Sequence, residues 1–206
     1  MRAASEVIAR ESFGGTTLQK VADAAGVSTG TVNHYFANKS DLLIQTLKHI
    51  EAEWQRDIRK ATATKSSGRA KIEELVRAAG PFSTLNKRRW RVWTAAGSEA
   101  IRSPGMRAAL RETQASWRVV MAEAFAQIVR EDDRALLDLE MIARLYDALQ
   151  NGLFLQFDIS EGSRDDDAFM ILVDFLSRSV GVASESPLSS ISSPGHSNNT
   201  AFIDPA

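Results

Sequence analysis

The chain has 206 residues, of which 44% are apolar and 25% charged, and its formal net charge is −1. These values are ordinary for a globular protein, and they provide no overall basic field of the kind that attracts nucleic acid. The absence of cysteine excludes disulfides, thiolate catalysis and cysteine-based metal sites. No apolar run approaches the roughly 18–20 residues that a membrane helix needs. We therefore predict a cytoplasmic soluble protein that makes no membrane contact.

Apolar residues recur with helical periodicity along most of the chain, and no alternating strand pattern is convincing. The predicted fold class is all-α, with a three-helix head in residues 1–48 and a helical domain in residues 49–182. Residues 183–206 hold seven serines and three of the five prolines, which predicts a disordered tail. About nine helices are predicted, over residues 2–13, 17–25, 29–36, 39 to beyond 54, 69–80, 85–101, 105–130, 138–158 and 164–180.

The segment GVSTGTVNHYF, residues 26–36, lies between two apolar-periodic segments yet is rich in small polar side chains. Ser28 is a suitable N-cap for a short helix that begins at Thr29. At about 100° per residue, Val32 and Phe36 point inward together. The opposite face then carries Gly30, Thr31, Asn33 and His34, which are compact hydrogen-bonding groups beside a glycine that permits close approach.

Two helices joined by a glycine-containing turn, the second with a compact polar face, describe a helix-turn-helix. Its second helix would enter the major groove, where Asn, Thr and His side chains reach base edges. Thr16 and Gln19 are predicted to form a capping box at the start of the preceding helix, whose N-terminal amides suit a phosphate. Lys39 can add a charged phosphate contact.

Residues 17–43 follow the ordered pattern Thr17-Leu18-x-x-Val21-Ala22-x-x-Ala25-Gly26-Val27-Ser28-x-Gly30-Thr31-Val32-x-x-Tyr35-Phe36-x-x-Lys39-x-x-Leu42-Leu43. This pattern resembles the DNA-binding domain of TetR-type transcriptional regulators, and the segment STGTVNHYF is similar to that of the BetI-like branch. The resemblance implies a dimeric repressor that binds a palindromic DNA operator and is released by a small-molecule effector. It implies DNA contacts from Thr17, Ser28, Thr29, Thr31, Asn33, His34, Tyr35 and Lys39.

The family places an effector pocket in the middle helices, which here carry several aromatic residues. We expect this pocket to be lined by Trp90, Trp93, Glu99, Trp117, Met121 and Phe125, so that aromatic rings and an acid hold an organic cation. The alternative is that these residues are ordinary core. The basic run Arg88, Arg89 and Arg91 is expected on a solvated face.

The helix at 138–158 is apolar on two sides, which predicts packing against its own domain and against something else. The family uses the last two helices as a four-helix dimer interface. We expect this interface to contain Ile142, Tyr146, Leu149, Leu153, Phe157, Phe169, Leu172, Val173 and Leu176. A second apolar stripe on the same helix holds Met141, Leu145 and Leu155.

Two other functions remain open at this stage. Residues 1–50 carry a charge balance of only +1, from five Lys/Arg and four Asp/Glu, which is small for phosphate-driven binding. A small-molecule sensor or carrier whose head does not bind DNA is therefore the alternative, and a basic arm before the first helix is expected to be absent or truncated. An enzyme is the weakest hypothesis, because no catalytic grouping, cofactor motif or metal-ligand spacing occurs.

Overall fold

The computed structural model describes residues 1–64, 68–129, 137–159 and 165–182. These residues form nine helices and no strand, as the all-α prediction requires. The predicted tail at 183–206 lies outside the described residues. The helices are α1 Arg2–Gly15, α2 Leu18–Ala25, α3 Thr29–Tyr35, α4 Lys39–Thr62, α5 Gly68–Ala79, α6 Thr84–Ala100, α7 Pro104–Ala126, α8 Leu139–Ile159 and α9 Asp165–Ser179. No helix within the described residues combines the length and apolarity needed to span a bilayer.

The cap of α2 differs from the sequence prediction by one residue. Thr17 is the N-cap, and its hydroxyl accepts a hydrogen bond from the Lys20 amide. Thr16 is buried, and its hydroxyl donates to the Ser12 carbonyl at 2.7 Å. The predicted capping box is therefore wrong, because the close packing of α1 against α2 places Thr16 inside rather than at the helix end. Gly26 ends α2 with φ 67, a left-handed conformation that glycine adopts without strain.

The head, residues 1–48, has a small core of its own. Inward side chains of the first four helices meet in one cluster, made by Ala4, Val7, Val21, Ala22, Val32, Phe36 and Leu42. Val32 of α3 and Phe36, the C-cap residue of α3, both lie in this cluster, as their spacing of four residues predicts. Because this contact fixes the rotation of α3 about its axis, it decides which residues of α3 face solvent.

The head is joined to the rest of the chain by a second apolar cluster. Ile8 of α1 belongs to this cluster together with side chains of α4, α6 and α7, among them Leu47, Val92 and Met106. An ion pair of 3.0 Å between Arg88 and Glu6 also links α6 to α1. Helices α4 and α6 therefore contact both the head and the larger domain, which will be called the body, residues 49–182.

The body core is built from α4, α5, α6, α7, α8 and α9. Phe125 and Tyr146 are fully buried at its centre, with ring centroids 6.0 Å apart. The inward faces of the last two helices complete this core through Phe154, Phe169 and Leu172. The core is thus closed within a single chain.

The basic run of α6 is not a solvated face, contrary to the sequence prediction. Arg89 is only 3% exposed, and its guanidinium contacts Asp57 at 2.7 Å and Glu53 at 3.5 Å on α4. It also donates to the Asn86 side chain at 2.9 Å. Only Arg91 of the run is exposed. Helical position alone does not reveal this, since the acidic partners lie over thirty residues away in the sequence.

Candidate DNA-binding surface and ligand cavity

Helix α3 is held in place by hydrogen bonds at its N-terminus. The Ser28 hydroxyl accepts from the Thr31 amide at 3.1 Å and lies 2.9 Å from the Thr31 hydroxyl. The Thr29 hydroxyl donates to the Gln19 side chain of α2. The Ser28 bonds cap α3, and the Thr29–Gln19 bond joins α3 to α2 beside the turn. Gln19 is a positioning residue that the sequence interpretation did not assign.

The outward face of α3 presents three neighbouring polar side chains. Asn33, His34 and Tyr35 are all exposed, Tyr35 at 68%. The rings of His34 and Tyr35 meet edge to face with centroids 5.4 Å apart. The α3 geometry therefore matches the sequence expectation, with Val32 and Phe36 inside and the polar residues in solvent. Such a helix has the size and chemistry to read base edges in a major groove.

Two further predicted contacts lie beside this face, at the ends of neighbouring helices. The Thr17 hydroxyl uses its oxygen to accept from Lys20, so its O–H remains able to donate to a phosphate. The Lys39 ammonium donates to the Gly14 carbonyl at 2.9 Å and lies 4.6 Å from the centre of the Phe13 ring. An ammonium has three donors, so Lys39 can keep this bond and still contact a phosphate.

A small cavity, with room for a water molecule or two, lies inside the body between α4, α6, α7 and α8. All four tryptophans of the chain line it: Trp54, Trp90, Trp93 and Trp117. The rings of Trp54 and Trp117 meet edge to face at 5.5 Å. The other lining residues are polar or acidic, namely Glu51, Thr113, Gln114, Asp147, Gln150 and Asn151. We call this site the tryptophan cage.

The charge in the tryptophan cage is entirely acidic. Glu51 and Asp147 line it, whereas none of the Lys, Arg and His residues in the described ranges does. The pKa of Glu51 is raised from its ordinary 4.5 to about 7, chiefly by burial, against the lowering effect of a hydrogen bond from Gln55 and with a smaller contribution from the charge of Asp147. Burial also raises the pKa of Asp147, against the lowering effects of its hydrogen bond from Asn151 and of the Arg118 charge. A cation entering the cage would meet two carboxyl groups, of which Asp147 is also subject to the charge of Arg118.

Three buried polar atoms of the cage lining have no hydrogen-bond partner among the described residues. They are the indole N–H groups of Trp90 and Trp117 and the side-chain carbonyl of Gln150. Unpartnered buried polar atoms are costly, and they mark places where a ligand can form hydrogen bonds. The cage therefore offers two donors and one acceptor in addition to its aromatic and acidic groups.

Three of the six residues expected in the pocket are not part of it. Glu99 follows Trp90 by nine residues, which places it on the opposite side of α6, where it pairs with Arg102 at 3.3 Å. Met121 and Phe125 are fully buried in the body core and do not line the cage. Glu99, Met121 and Phe125 therefore do not line the cage, whereas the structure brings the three predicted tryptophans together there.

The acids and amides of the cage were missed by sequence reasoning, although a signal for two of them exists. Glu51 follows Leu47 by four residues and precedes Trp54 by three, so it interrupts a buried apolar stripe. Gln150 likewise interrupts a buried apolar stripe, on α8, where it follows Tyr146 by four residues. A polar residue within an otherwise buried stripe is the pattern that would have identified them.

The expected dimer stripe is largely occupied by the chain's own core. Tyr146 is fully buried, as are Leu172, Val173 and Leu176 on α9, so these side chains cannot touch a partner. Phe169 is also buried. Ile142, Leu149 and Leu153 are half-buried against the same core, and the side chain of Phe157 lies outside the described residues. The prediction is wrong for the fully buried residues, because this stripe faces inward.

The other apolar side of α8 is the exposed one. Met141, Leu145 and Leu155 are each about half exposed, at 49%, 51% and 54%. Ala148 and Gly152 lie between them and are also exposed, so the five residues follow one another at spacings of four, three, four and three. This spacing is that of a helix–helix seam. We call these five residues the α8 stripe.

A helix-turn-helix head with an exposed polar second helix, joined by shared helices to a body with an internal tryptophan-lined cavity, defines the class of helix-turn-helix regulatory proteins. Residues 1–46 match the family described as bacterial regulatory proteins, tetR family. Residues 68–180 match the family described as BetI-type transcriptional repressor, C-terminal. The chain therefore belongs to the TetR family, and its C-terminal domain is of the BetI type.

Individual relatives agree with this assignment. A helix-turn-helix transcriptional regulator named BetI from Paraburkholderia phymatum is 33% identical over 129 residues, which cover 62% of this chain and 64% of the relative. The BetI regulator from Paraburkholderia xenovorans is 34% identical over 101 residues, which cover 48% of this chain and 52% of the relative. The alignments thus span only about half to two thirds of these relatives.

Solved structures of low sequence identity share the fold. A transcriptional regulator from Saccharomonospora viridis, crystallised with choline, superimposes with a TM-score of 0.72 at 22% identity, over 89% of this chain and 95% of that one. The regulator FadR from Bacillus subtilis, crystallised with stearoyl-CoA, has a TM-score of 0.63 at 18% identity, over 89% of this chain and 97% of that one. One fold therefore accommodates ligands of very different size.

Proposed function

We propose that the protein is a dimeric transcriptional repressor that binds a palindromic operator and leaves it when an organic cation enters the tryptophan cage. The observation that carries this proposal is the outward face of α3, on which Asn33, His34 and Tyr35 stand in solvent while Val32 and Phe36 hold the helix to the head core. Since a repressor acts on the chromosome, we expect it in the cytoplasm and assign it no catalytic role.

The class of effector follows from the chemistry of the cage. Tryptophan faces attract organic cations, and quaternary ammonium groups are the ligands that aromatic cages of this kind hold. Glu51 and Asp147 supply the negative charge. A hydroxyl group could accept from the indole N–H of Trp90 or Trp117 and donate to the Gln150 carbonyl. We therefore propose a hydroxyalkyl ammonium ion such as choline, with which the related fold from S. viridis was crystallised. Because the empty cage has room only for a water molecule or two, entry of this ion requires the helices around the cage to move apart.

The coupling between cage and head runs through helices that belong to both. Glu51 and Trp54 line the cage from α4, whose first residue is Lys39 in the head. Twelve residues of helix separate Lys39 from Glu51, about 18 Å at 1.5 Å per residue. Helix α6 carries Trp90 and also contacts α1. A ligand that separates α4 from α6 would therefore change the position of the head and the spacing of two heads in a dimer.

The dimer is proposed to form through the α8 stripe together with Met170, which is 43% exposed on the neighbouring α9. Two copies of the stripe related by a two-fold axis can pack as a helix–helix seam, with Ala148 and Gly152 permitting close approach. The two recognition helices would then face successive major grooves on one side of a duplex, about 34 Å apart.

Fluorescence anisotropy with duplex DNA from the region upstream of the gene tests the proposal. We expect Asn33→Ala and His34→Ala to change the preferred sequence, each base contact being worth about 1–3 kcal/mol. Lys39→Ala should weaken binding to all sequences and reduce the salt dependence. Lys60→Ala is the matched control, because Lys60 is an exposed lysine in the last turn of α4, within the body.

Two outcomes would contradict the proposal. Absence of salt-sensitive binding to any upstream duplex, in the wild type as well as the variants, would remove DNA recognition. Retained binding of choline without any operator complex would instead identify a sensor or carrier whose head does not bind DNA. That alternative is supported by the charge balance of only +1 in residues 1–50. It is also supported by the bonds that Lys20 and Lys39 donate to carbonyls at the end of α1.

A further inference from the structure

Glu51 occupies an unusual place in the tryptophan cage. It is 7% exposed. It lines not only the cage but also an outer groove of about 480 Å³ between α4 and α7. Thr113 is shared between the two spaces as well. The carboxyl group of Glu51 therefore stands at the boundary between the cage and the groove that leads to solvent.

The contacts of Glu51 are too few to stabilise a buried negative charge. Its carboxylate accepts one side-chain hydrogen bond, from Gln55 at 3.1 Å. No ion pair joins it to a cationic side chain within the described residues. A buried carboxyl group without a cationic partner favours its neutral form, because desolvation penalises the charged one. In the empty cage Glu51 consequently holds a proton around neutral pH.

The charged groups that face Glu51 from the surrounding helices do not alter this conclusion. Lys48, on its own helix, is paired at 2.9 Å with Glu112 of α7 across the outer groove. Asp147 of α8 is a second acid in the cage and disfavours ionisation of Glu51. Arg118 of α7 acts on Asp147 rather than on Glu51. Helix α6 contributes only indole rings to the cage lining.

We propose that Glu51 is the residue that selects for charge in the cage, and that it exchanges a proton for the positive charge of the ligand. It is neutral in the empty cage and ionises when an organic cation occupies the space beside it. No redox step or co-reactant is involved, since the proton passes to the solvent through the outer groove. The inference rests on the proposed effector class, and it adds that effector binding depends on pH.

The expected linkage has a definite sign. A cation lowers the pKa of Glu51, so the complex binds fewer protons than the free protein. Affinity for the cation should therefore rise by about tenfold per pH unit below pH 7 and level off above it. Release of about one proton is expected at pH 6, about half a proton at pH 7 and almost none at pH 8.

Isothermal titration calorimetry measures this release directly, from binding enthalpies in buffers of different ionisation enthalpy. The probes are choline and its neutral isostere 3,3-dimethylbutan-1-ol, titrated into the full-length protein at pH 6, 7 and 8. Choline should release protons, whereas the neutral isostere should release none. With Glu51→Gln, choline binding should be independent of pH, so that the affinity ratio of wild type to variant grows about tenfold from pH 6 to pH 8.

Matched variants assign the effect to Glu51. Glu123→Gln makes the same chemical change at a carboxyl group that is 56% exposed on α7, and it should behave as the wild type. Asp147→Asn should lower choline affinity while the proton release remains. If Asp147→Asn rather than Glu51→Gln abolished the release, the assignment to Glu51 would be overturned.

Failure of this inference can be told apart from failure of the proposed effector class. Choline binding without proton release, or with the same pH dependence in Glu51→Gln, would overturn the proton exchange alone. Absence of choline binding at every pH, with retained operator binding, would overturn the effector class and this inference with it.

Discussion

The exposed α8 stripe makes a sharp prediction for the substitution Leu145→Glu. In the single chain Leu145 is 51% exposed, so about half of its side chain remains to be covered by a partner. Burying a whole leucine side chain stabilises by about 1.5–3 kcal/mol. Covering the exposed half should therefore contribute about 1 kcal/mol per protomer and about 2 kcal/mol per dimer.

The new carboxylate adds a second cost. Each dimer would place two copies of the carboxylate in an apolar seam, where the desolvation penalty per ion is several kcal/mol unless the side chain reaches solvent. Even with partial escape, the total loss should be about 4 kcal/mol, which raises the dimer dissociation constant about a thousandfold. Operator affinity should fall with it, because a monomer carries only one recognition helix.

Sedimentation equilibrium measures the dimer, and fluorescence anisotropy measures the operator complex. Ile101→Glu is the control, since Ile101 is 77% exposed at the end of α6 and lies outside the α8 stripe. It should leave both constants near those of the wild type. A dimer of unchanged affinity in Leu145→Glu would refute the α8 stripe as the interface, whatever happens to DNA binding.

Three further substitutions test the interior. Because burial raises the pKa of Glu51 to about 7, the contribution of this carboxyl group to stability is fully present below pH 4.5 and is lost as pH rises through 7. In urea unfolding, the wild type should lose about 3 kcal/mol of unfolding free energy relative to Glu51→Gln over that range. Parallel pH curves for the two proteins would contradict this prediction. Tyr146→Phe should raise the free energy of unfolding by about 1 kcal/mol, since the buried hydroxyl has no hydrogen-bond partner among the described residues. A clear decrease in the free energy of unfolding would show that the hydroxyl is hydrogen-bonded in the folded protein. Arg89→Ala should lower the unfolding free energy by about 2–4 kcal/mol. The loss is smaller than for a fully enclosed ion pair, because water reaches Asp57 and Glu53. A loss below about 1 kcal/mol would show that these ion pairs of Arg89 contribute little to stability.

Local signals were enough to predict the head. Ser28 as a cap, Gly26 as a terminator and the spacing of Val32 and Phe36 all act within about one helical turn, and the structure has each of them as expected. The helix bounds elsewhere agree to within a few residues for the same reason. Even here a tertiary contact altered the outcome, since packing of α1 against α2 moved the cap from Thr16 to Thr17.

The cage could be predicted only in part. Its tryptophans stand out as large aromatic residues, but Glu99 was assigned as its acid because it is near them in sequence. In the structure the acidic residues of the cage are Glu51 of α4 and Asp147 of α8, which are almost a hundred residues apart in the sequence. Their meeting depends on how four helices pack, and short-range spacing carries no information about that.

By itself the sequence determined that the chain is helical, where its helices begin and end to within a few residues, and that α3 buries one side and exposes another. Only the tertiary structure decided which of the two apolar sides of α8 closes the core and which is exposed, since both repeat with the period of a helix. It also decided that Arg89 is buried while Arg91 is not. Periodicity reports that a face is apolar, but the surface that covers this face is supplied by residues far away in the chain.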